Sequence, residues 1–304
     1  MKETKLKKTT SRKLRGSDHV FDIILTTIVI LFMLTILYPL IYVVSASFSS
    51  GAAVSEGRVI LWPVEFSLDS YKMVFNYQAI WLGYLNTLIY TFGRTFLGLF
   101  YTILVAYVLS RKTFQGRKLF TMLCIFTLWF SGGLIPTYMM YSALGMNNSR
   151  IGFILMASMN VTYMIIMRTY FQTAIPGELL ESAKIDGVSD IQYLLKIVIP
   201  LSRPVISVIA LYLVVAHWND YFGPMIYLRP TELQPLSVVL RRILEISQVD
   251  VGMISDPELA ARMSVVGDGL KYGLIVVSTV PMIALFPFVQ KFFNKGVMMG
   301  ALKG

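Results

Sequence analysis

Residues 23–44 read IILTTIVILFMLTILYPLIYVV, twenty-two in a row without a charge. A helix of about 20 apolar residues crosses the hydrocarbon core of a bilayer, and there every backbone polar group must find its partner inside the protein. Five further runs have this character: 86–109, 119–141, 152–170, 204–227 and 272–293. Their repeated length predicts an all-α, polytopic membrane protein with six transmembrane helices. Composition agrees, because 14% of the 304 residues are charged against about a quarter in a soluble domain. The sequence Val44-Ser45-Ala46 after the first run resembles a signal-peptide cleavage site. Signal h-regions run only about 7–15 residues, however, so the run reads as an uncleaved helix.

The basic residues set the orientation. Six spans divide the connecting segments into two sets, and 18 of the 27 Lys and Arg fall in one of them: the N-terminal tail, the loop SRKTFQGRK, the segment 168–203 and the C-terminal tail. That side is cytoplasmic by the positive-inside rule, so both termini are expected inside. The chain divides into a basic cytoplasmic tail (1–20), a six-helix domain (21–294) and a C-terminal tail (295–304). Outer segments lie at 45–85 and 228–271. The charge of +10 is thus a topology signal and an anchor to membrane lipid, with no nucleic-acid footprint. Cys124 sits alone in an apolar run and the two histidines, His19 and His217, are far apart. No metal site, disulfide framework or catalytic constellation is expected. In the second outer segment, LSVVLRRILEI puts Leu236, Val239, Leu240, Ile243 and Leu244 on one helical face and reads as an interfacial helix.

The cytoplasmic segment 171–203 reads FQTAIPGELLESAKIDGVSDIQYLLKIVIPLSR. Pro176 fits a first helical turn, and Glu178 and Glu181 favour the positive end of that helix. Gly187 supplies a left-handed stop, and Ser189 with Gln192 forms a capping box for a second helix. Pro200 is expected to end that helix and Pro204 to open the next span. The product is a bent, partly apolar knob between two membrane helices. It suits either a mechanical lever docked in a partner or an ordinary amphipathic connection lying on the membrane.

The spacing Glu181-Ser182-Ala183, three residues, Gly187, nine residues, Ile197, one residue, Ile199-Pro200 resembles the EAA-x3-G-x9-I-x-L-P pattern of ABC importer permeases. Ser182 stands for an alanine and Ile199 for the leucine. The string AKIDGVSD is similar to the carbohydrate-uptake branch, as are WPVEFSLDSY, NTLIYT, FSGGLIPTY and the tail KGVMMGALKG. Together these resemble the second permease subunit of maltose-type importers, closest to the branch that imports polysaccharide fragments. The resemblance implies a type I importer permease fold in a prokaryotic cell membrane. It implies a coupling contact through Glu181, Ser182, Ala183, Asp186, Gly187 and Ser189 with a separate ATP-hydrolysing subunit, present in two copies. It also implies a tail contact through Gly296, Met298 and Gly300, a second homologous permease and an extracytoplasmic sugar-binding protein. The chain has no GxxxxGK[ST] string, so it is expected to be non-catalytic and to bind no cofactor, with ATP and magnesium held by the partner.

Charges at membrane depth are costly and call for a partner or a cavity. Arg94 in the second span reads either as a pair with a backbone carbonyl or an acidic residue of the companion subunit, or as part of a substrate path. AHWNDYF in the fifth span offers Asn219 and Asp220 to sugar hydroxyls and Trp218 and Tyr221 to sugar faces; a subunit interface is the plainer reading. Gly132, Gly133 and Pro136 are expected to break the third span, where Gly133 and Pro136 would form a gate or cavity wall on the substrate path. Other classes fit less well. A membrane-embedded transferase would show acidic clusters for metal–phosphate chemistry, and the cytoplasmic acidic residues here belong to the knob. An ion-coupled carrier would need no ATPase. Import of another solute class, such as amino acids or phosphate, stays open within the ABC permeases.

Overall fold

The computed structural model describes residues 16–157, 159–247, 270–284 and 287, and the described elements are helical. The first helix, α1 (Gly16–Ser47), leaves its apolar side chains exposed along most of its length. A helix apolar all round has lipid or a partner as its environment. Two of its mid-helix hydroxyls satisfy themselves by donating to the carbonyls four residues back, Thr27 to Ile23 and Thr35 to Leu31. The outer segment then folds through α2 (Gly51–Ser55) and α3 (Asp69–Asn76). Serines stitch it to the end of α1: Ser45 donates to Leu61 O at 2.6 Å and Ser49 accepts from Val64 N at 3.0 Å.

The longest described helix, α4 (Gln78–Ser110), organises the rest. Gly83, Thr87, Thr91, Thr95, Gly98, Thr102 and Ala106 recur every three or four residues and are all buried. Small residues at that spacing let neighbouring backbones approach closely, which is how helices associate where lipid removes the hydrophobic drive. A side chain at Gly83 would press on the Leu236 backbone at 3.1 Å, and one at Gly93 on Ile154 at 3.1 Å. The expected span at 86–109 therefore starts eight residues early, because Gln78–Leu85 continue the helix over the outer segment.

The third expected span is two helices, α5 (Arg117–Trp129) and α6 (Leu134–Ala143), set at 114°. The break falls at the expected glycines: Gly133 has φ +82° and ψ 177°, a conformation open essentially to glycine alone. The fourth also divides, into α7 (Arg150–Leu155) and α8 (Val161–Thr173), a correction to the continuous helix at 152–170. Asn160 is the cause, since its side chain accepts from Tyr163 N and starts a new helix inside an apolar run. The knob follows as α9 (Gly177–Ile185) and α10 (Asp190–Leu201), then α11 (Arg203–Trp218) at 81° to α10. The fifth span stops at Trp218 instead of running to 227, with a short α12 (Phe222–Tyr227) after a turn. The chain continues in α13 (Leu236–Ser247) and α14 (Leu270–Ala284).

Two described helices, α1 and α4, are long and apolar enough to cross a membrane alone, and four spans result if each bent pair counts as one. The helix α14 is a shorter apolar helix, covering the described part of the sixth expected span. The amphipathic α13 departs from the interfacial reading. Leu236, Val239 and Ile243 are buried, packed with Val74, Ile80 and Leu274, so its apolar face meets protein. Among the described glycines the closest approach is in α7, where a Cβ on Gly152 would lie 2.2 Å from the Met146 carbonyl oxygen. Neither backbone can yield there, so Gly152→Ala is expected to cost about 1–3 kcal/mol. That lowers the unfolding temperature in detergent by about 3 °C or more; an unchanged midpoint would refute the close approach.

Candidate functional site

The site has one part on the knob, in the segment that the sequence reading expects inside, and a second, the outer part of that reading, around the turn at 219–221. On the knob, local chemistry acts as the sequence predicts. Gly187 has φ +71°, and Ser189 and Gln192 exchange both capping-box hydrogen bonds, at 3.3 and 3.2 Å. Pro176 sits at the N-cap of α9, one residue before the first turn, where its missing N–H costs nothing. Pro200 does not end α10 as expected. The helix widens into a π turn over Leu194–Val198 and carries the proline to its last residues. A wider turn relieves the clash between a proline ring and the carbonyl four residues back.

The knob has two faces. Ala183 turns inward at 6% exposure and shares a buried cluster with Tyr107, Leu109, Tyr193 and Val198. Glu181, Ser182, Asp186, Gly187 and Ser189 are exposed. Beside them two isoleucines stand in the open, Ile185 at 86% and Ile191 at 70% exposure. A small rigid element that is anchored by one face and offers apolar side chains on the other can take up a protein partner. Gly296, Met298 and Gly300 lie outside the described residues.

In the outer part, Arg94 meets Asp220 of its own chain, with Nη1 donating to Oδ2 at 2.8 Å and side chains 16% and 24% exposed. The partner is thus internal, in place of a backbone carbonyl or a residue of a companion subunit. The guanidinium also lies 4.5 Å over the Phe153 ring. Asp220 is fully engaged: Oδ1 accepts from Gly223 N at 3.0 Å, and its carbonyl accepts from Ser237 Oγ at 2.8 Å. A Cβ on Gly223 would fall 2.8 Å from Asp220 Oδ2, so the glycine keeps room for the ion pair. Asn219 donates back to Val215 O. This turn, absent from the continuous helix read in the sequence, faces a cavity of about 560 Å³.

Trp218, Asn219 and Tyr221 line that cavity together with Thr87, Ser237 and Arg241. Asp220, Arg94, Gly133 and Pro136 do not line it; Gly133 and Pro136 are exposed at the α5–α6 break. Trp218 is 7% exposed and packs edge-on against Tyr84, while Tyr221 is 40% exposed. The accessible ring is therefore Tyr221, with the Arg241 guanidinium 5.0 Å from its centre. Arg241 Nε donates to Glu245 Oε1 at 2.8 Å, which raises the guanidinium further from its already high value. Sequence reasoning missed Arg241 because an arginine on the polar face of an amphipathic helix looks like a lipid anchor.

The Arg94–Asp220 pair generates a test. Asp220→Asn keeps an oxygen for the Gly223 cap but strands the arginine, a loss on the order of 3 kcal/mol. Arg94→Leu combined with Asp220→Asn is expected to recover most of it. Thermal unfolding of the four proteins gives the coupling energy, and additive single effects would show that the pair contributes nothing.

Comparison with known proteins follows the same lines. The polygalacturonan/rhamnogalacturonan transport system permease protein YtcP of Bacillus subtilis (strain 168) is 37% identical over 294 residues, spanning 94% of this chain and 99% of that protein. Protein LplC of the same organism is 36% identical over 266 residues, spanning 88% and 89%. Among solved structures, a chain of a bacterial ABC transporter involved in the import of the acidic polysaccharide alginate superposes with a TM-score of 0.84. It is 35% identical and covers 93% of this chain and 100% of that one. No family model matches. With identities at this level over almost its whole length, the chain belongs to the family of ABC transporter permeases that contains these proteins.

Proposed function

We propose that this chain is one of two permease subunits of an ATP-driven importer carrying acidic oligosaccharides into a prokaryotic cell. It crosses the cell membrane six times with both termini inside. It pairs with a second, homologous permease, two copies of an ATP-hydrolysing subunit that holds ATP and magnesium, and an extracytoplasmic sugar-binding protein. Glu181, Ser182, Asp186, Gly187 and Ser189 face the ATP-hydrolysing subunit, Ala183 fixes them to the core, and the tail residues Gly296, Met298 and Gly300 add a second contact. The chain itself performs no chemistry.

The observation that carries the coupling role is the split exposure of the knob, with Ala183 buried and Ile185 and Ile191 bare. An acidic substrate is supported by the outer cavity, where an open tyrosine face, hydroxyls, an amide and the cationic Arg241 meet. Aromatic faces suit sugar rings, and a guanidinium suits a carboxylate. Polygalacturonan and alginate, in the names of the similar proteins, are both acidic polysaccharides and point the same way.

Two experiments bear on these roles. No atom lies within 4 Å of a Cβ built on Gly187, so Gly187→Val costs the subunit only its left-handed strain, about 1 kcal/mol or more. The variant is expected to insert normally, while uptake and sugar-stimulated ATP hydrolysis both fall. Normal insertion with both activities near wild type would remove the knob from the coupling role. For the cavity, Arg241→Gln is expected to weaken uptake of galacturonate oligomers about tenfold, the loss of one charge-assisted hydrogen bond, and to spare a neutral oligosaccharide. An equal effect on both sugars would argue against an acidic substrate held there.

A further inference from the structure

The inner end of α4 carries a contact that neither the motif nor the cavity explains. Arg111 follows the last turn of α4, and its guanidinium carbon lies 4.3 Å from the Tyr107 ring centre and 4.7 Å from that of Tyr193. Tyr107 belongs to α4 and Tyr193 to α10, so one planar cation is stacked between the second span and the knob. Both rings are buried, Tyr107 at 8% and Tyr193 at 1% exposure. Arg111 Nε and Nη2 are buried and find no hydrogen-bond partner among the described residues. This edge is held by aromatic faces in place of a carboxylate. The Tyr193 hydroxyl is likewise buried and has no partner among the described residues, so the ring makes the contact. The Tyr107 hydroxyl closes the joint by donating to Asp190 O at 3.0 Å.

The same end of α4 is tied to α8, where Arg168 Nε donates to Leu109 O at 3.0 Å and Gln172 Nε2 to Ser110 O at 3.4 Å. These satisfy carbonyls that a helix terminus leaves open. Its middle carries the Arg94–Asp220 pair beside the cavity. Its outer end grips the connection built around a 3₁₀ turn at Thr231–Leu233: Asn86 Nδ2 donates to Glu232 O and Gln234 O, Tyr90 Oη to Leu233 O, and Leu236 N to Thr87 Oγ1. A rod of 33 residues, about 48 Å long, therefore joins the knob to the cavity and the outer loop.

We infer that Arg111 is the joint that passes movement of the knob to α4, a positioning residue for the transport cycle. This rests on the coupling role proposed above for the knob. A stacked guanidinium suits the task because it holds two rings together while allowing them to slide. Lysine, a hydrated point charge on a flexible stem, lacks the planar surface.

The test uses the complete importer, purified through a tag on this chain and reconstituted in vesicles. The readout is the oligosaccharide that the wild type accumulates, per ATP hydrolysed. Arg111→Ala and Tyr193→Leu are expected to lower this ratio about tenfold while ATP hydrolysis persists. Arg111→Lys is expected to fall with them, and Tyr193→Phe, which keeps the ring, to match wild type. An Ile185→Cys cross-link to the ATP-hydrolysing subunit reports docking in each background. Should Arg111→Ala fail to assemble, Arg111→Lys carries the test. With docking intact, a wild-type ratio in both Arg111 variants overturns the joint, as does uncoupling by Tyr193→Phe. Absence of the cross-link in otherwise wild-type protein overturns the coupling role, and the joint with it.

Discussion

Close backbone packing along one face of α4 is the constraint on which the rest of the molecule depends. In lipid an apolar side chain gains nothing by leaving hydrocarbon for another helix, so association rests on dispersion and hydrogen bonds at short range. Glycines, threonines and an alanine on that face provide the short range, and α8, α11 and α13 settle against it. Two of the threonines need no outside partner for their own polarity, since Thr87 and Thr102 donate to the carbonyls of Gly83 and Gly98 one turn back. A hydroxyl satisfied in this way packs as a small residue and stays available as an acceptor, as Thr87 is to Leu236 N.

Local signals were the legible ones. The left-handed glycine at 187, the capping box at 189–192, the proline opening α11 and the broken third span each depend on residues within a turn of one another, and each is present. Contacts between distant residues were hidden. Arg94 and Asp220 are 126 residues apart, and nothing in either neighbourhood marks the other. Asp220 was hidden twice, because an apolar run on both sides masks the turn that it caps. Asn160 misleads for the same reason, its capping side chain lying within a run that is mostly apolar. Arg111 was counted among the charges that orient the chain, and counting by side says nothing about the aromatic rings that receive it. Trp218, the most conspicuous residue of AHWNDYF, is committed to packing, and the plainer Tyr221 is the accessible one.

The two ends of the chain's polar machinery differ in how they treat charge. At the outer end Arg94 is neutralised by a carboxylate and Arg241 is shared between a carboxylate and a ring. At the inner end Arg111 meets rings. A salt bridge has preferred distances and resists displacement, whereas a flat cation between flat rings tolerates lateral shift at little cost. The distribution suits a body that is fixed around its cavity and compliant at the knob.

The π turn in α10 gives a physical meaning to the interval between Gly187 and Ile197. Each residue added to a helix rotates everything beyond it by about 100°. Ile191 and Leu195 point outward from α10 while Tyr193, Leu194 and Val198 point inward, and Pro204 starts the next span a few residues later. Ten residues from Gly187 to Ile197, with one turn widened, set the angle between the outward side chains and the axis of α11. Length along the chain is here a record of azimuth. An insertion or deletion in this stretch would keep every residue type of the motif yet aim the exposed isoleucine at a different compass bearing from the axis of α11.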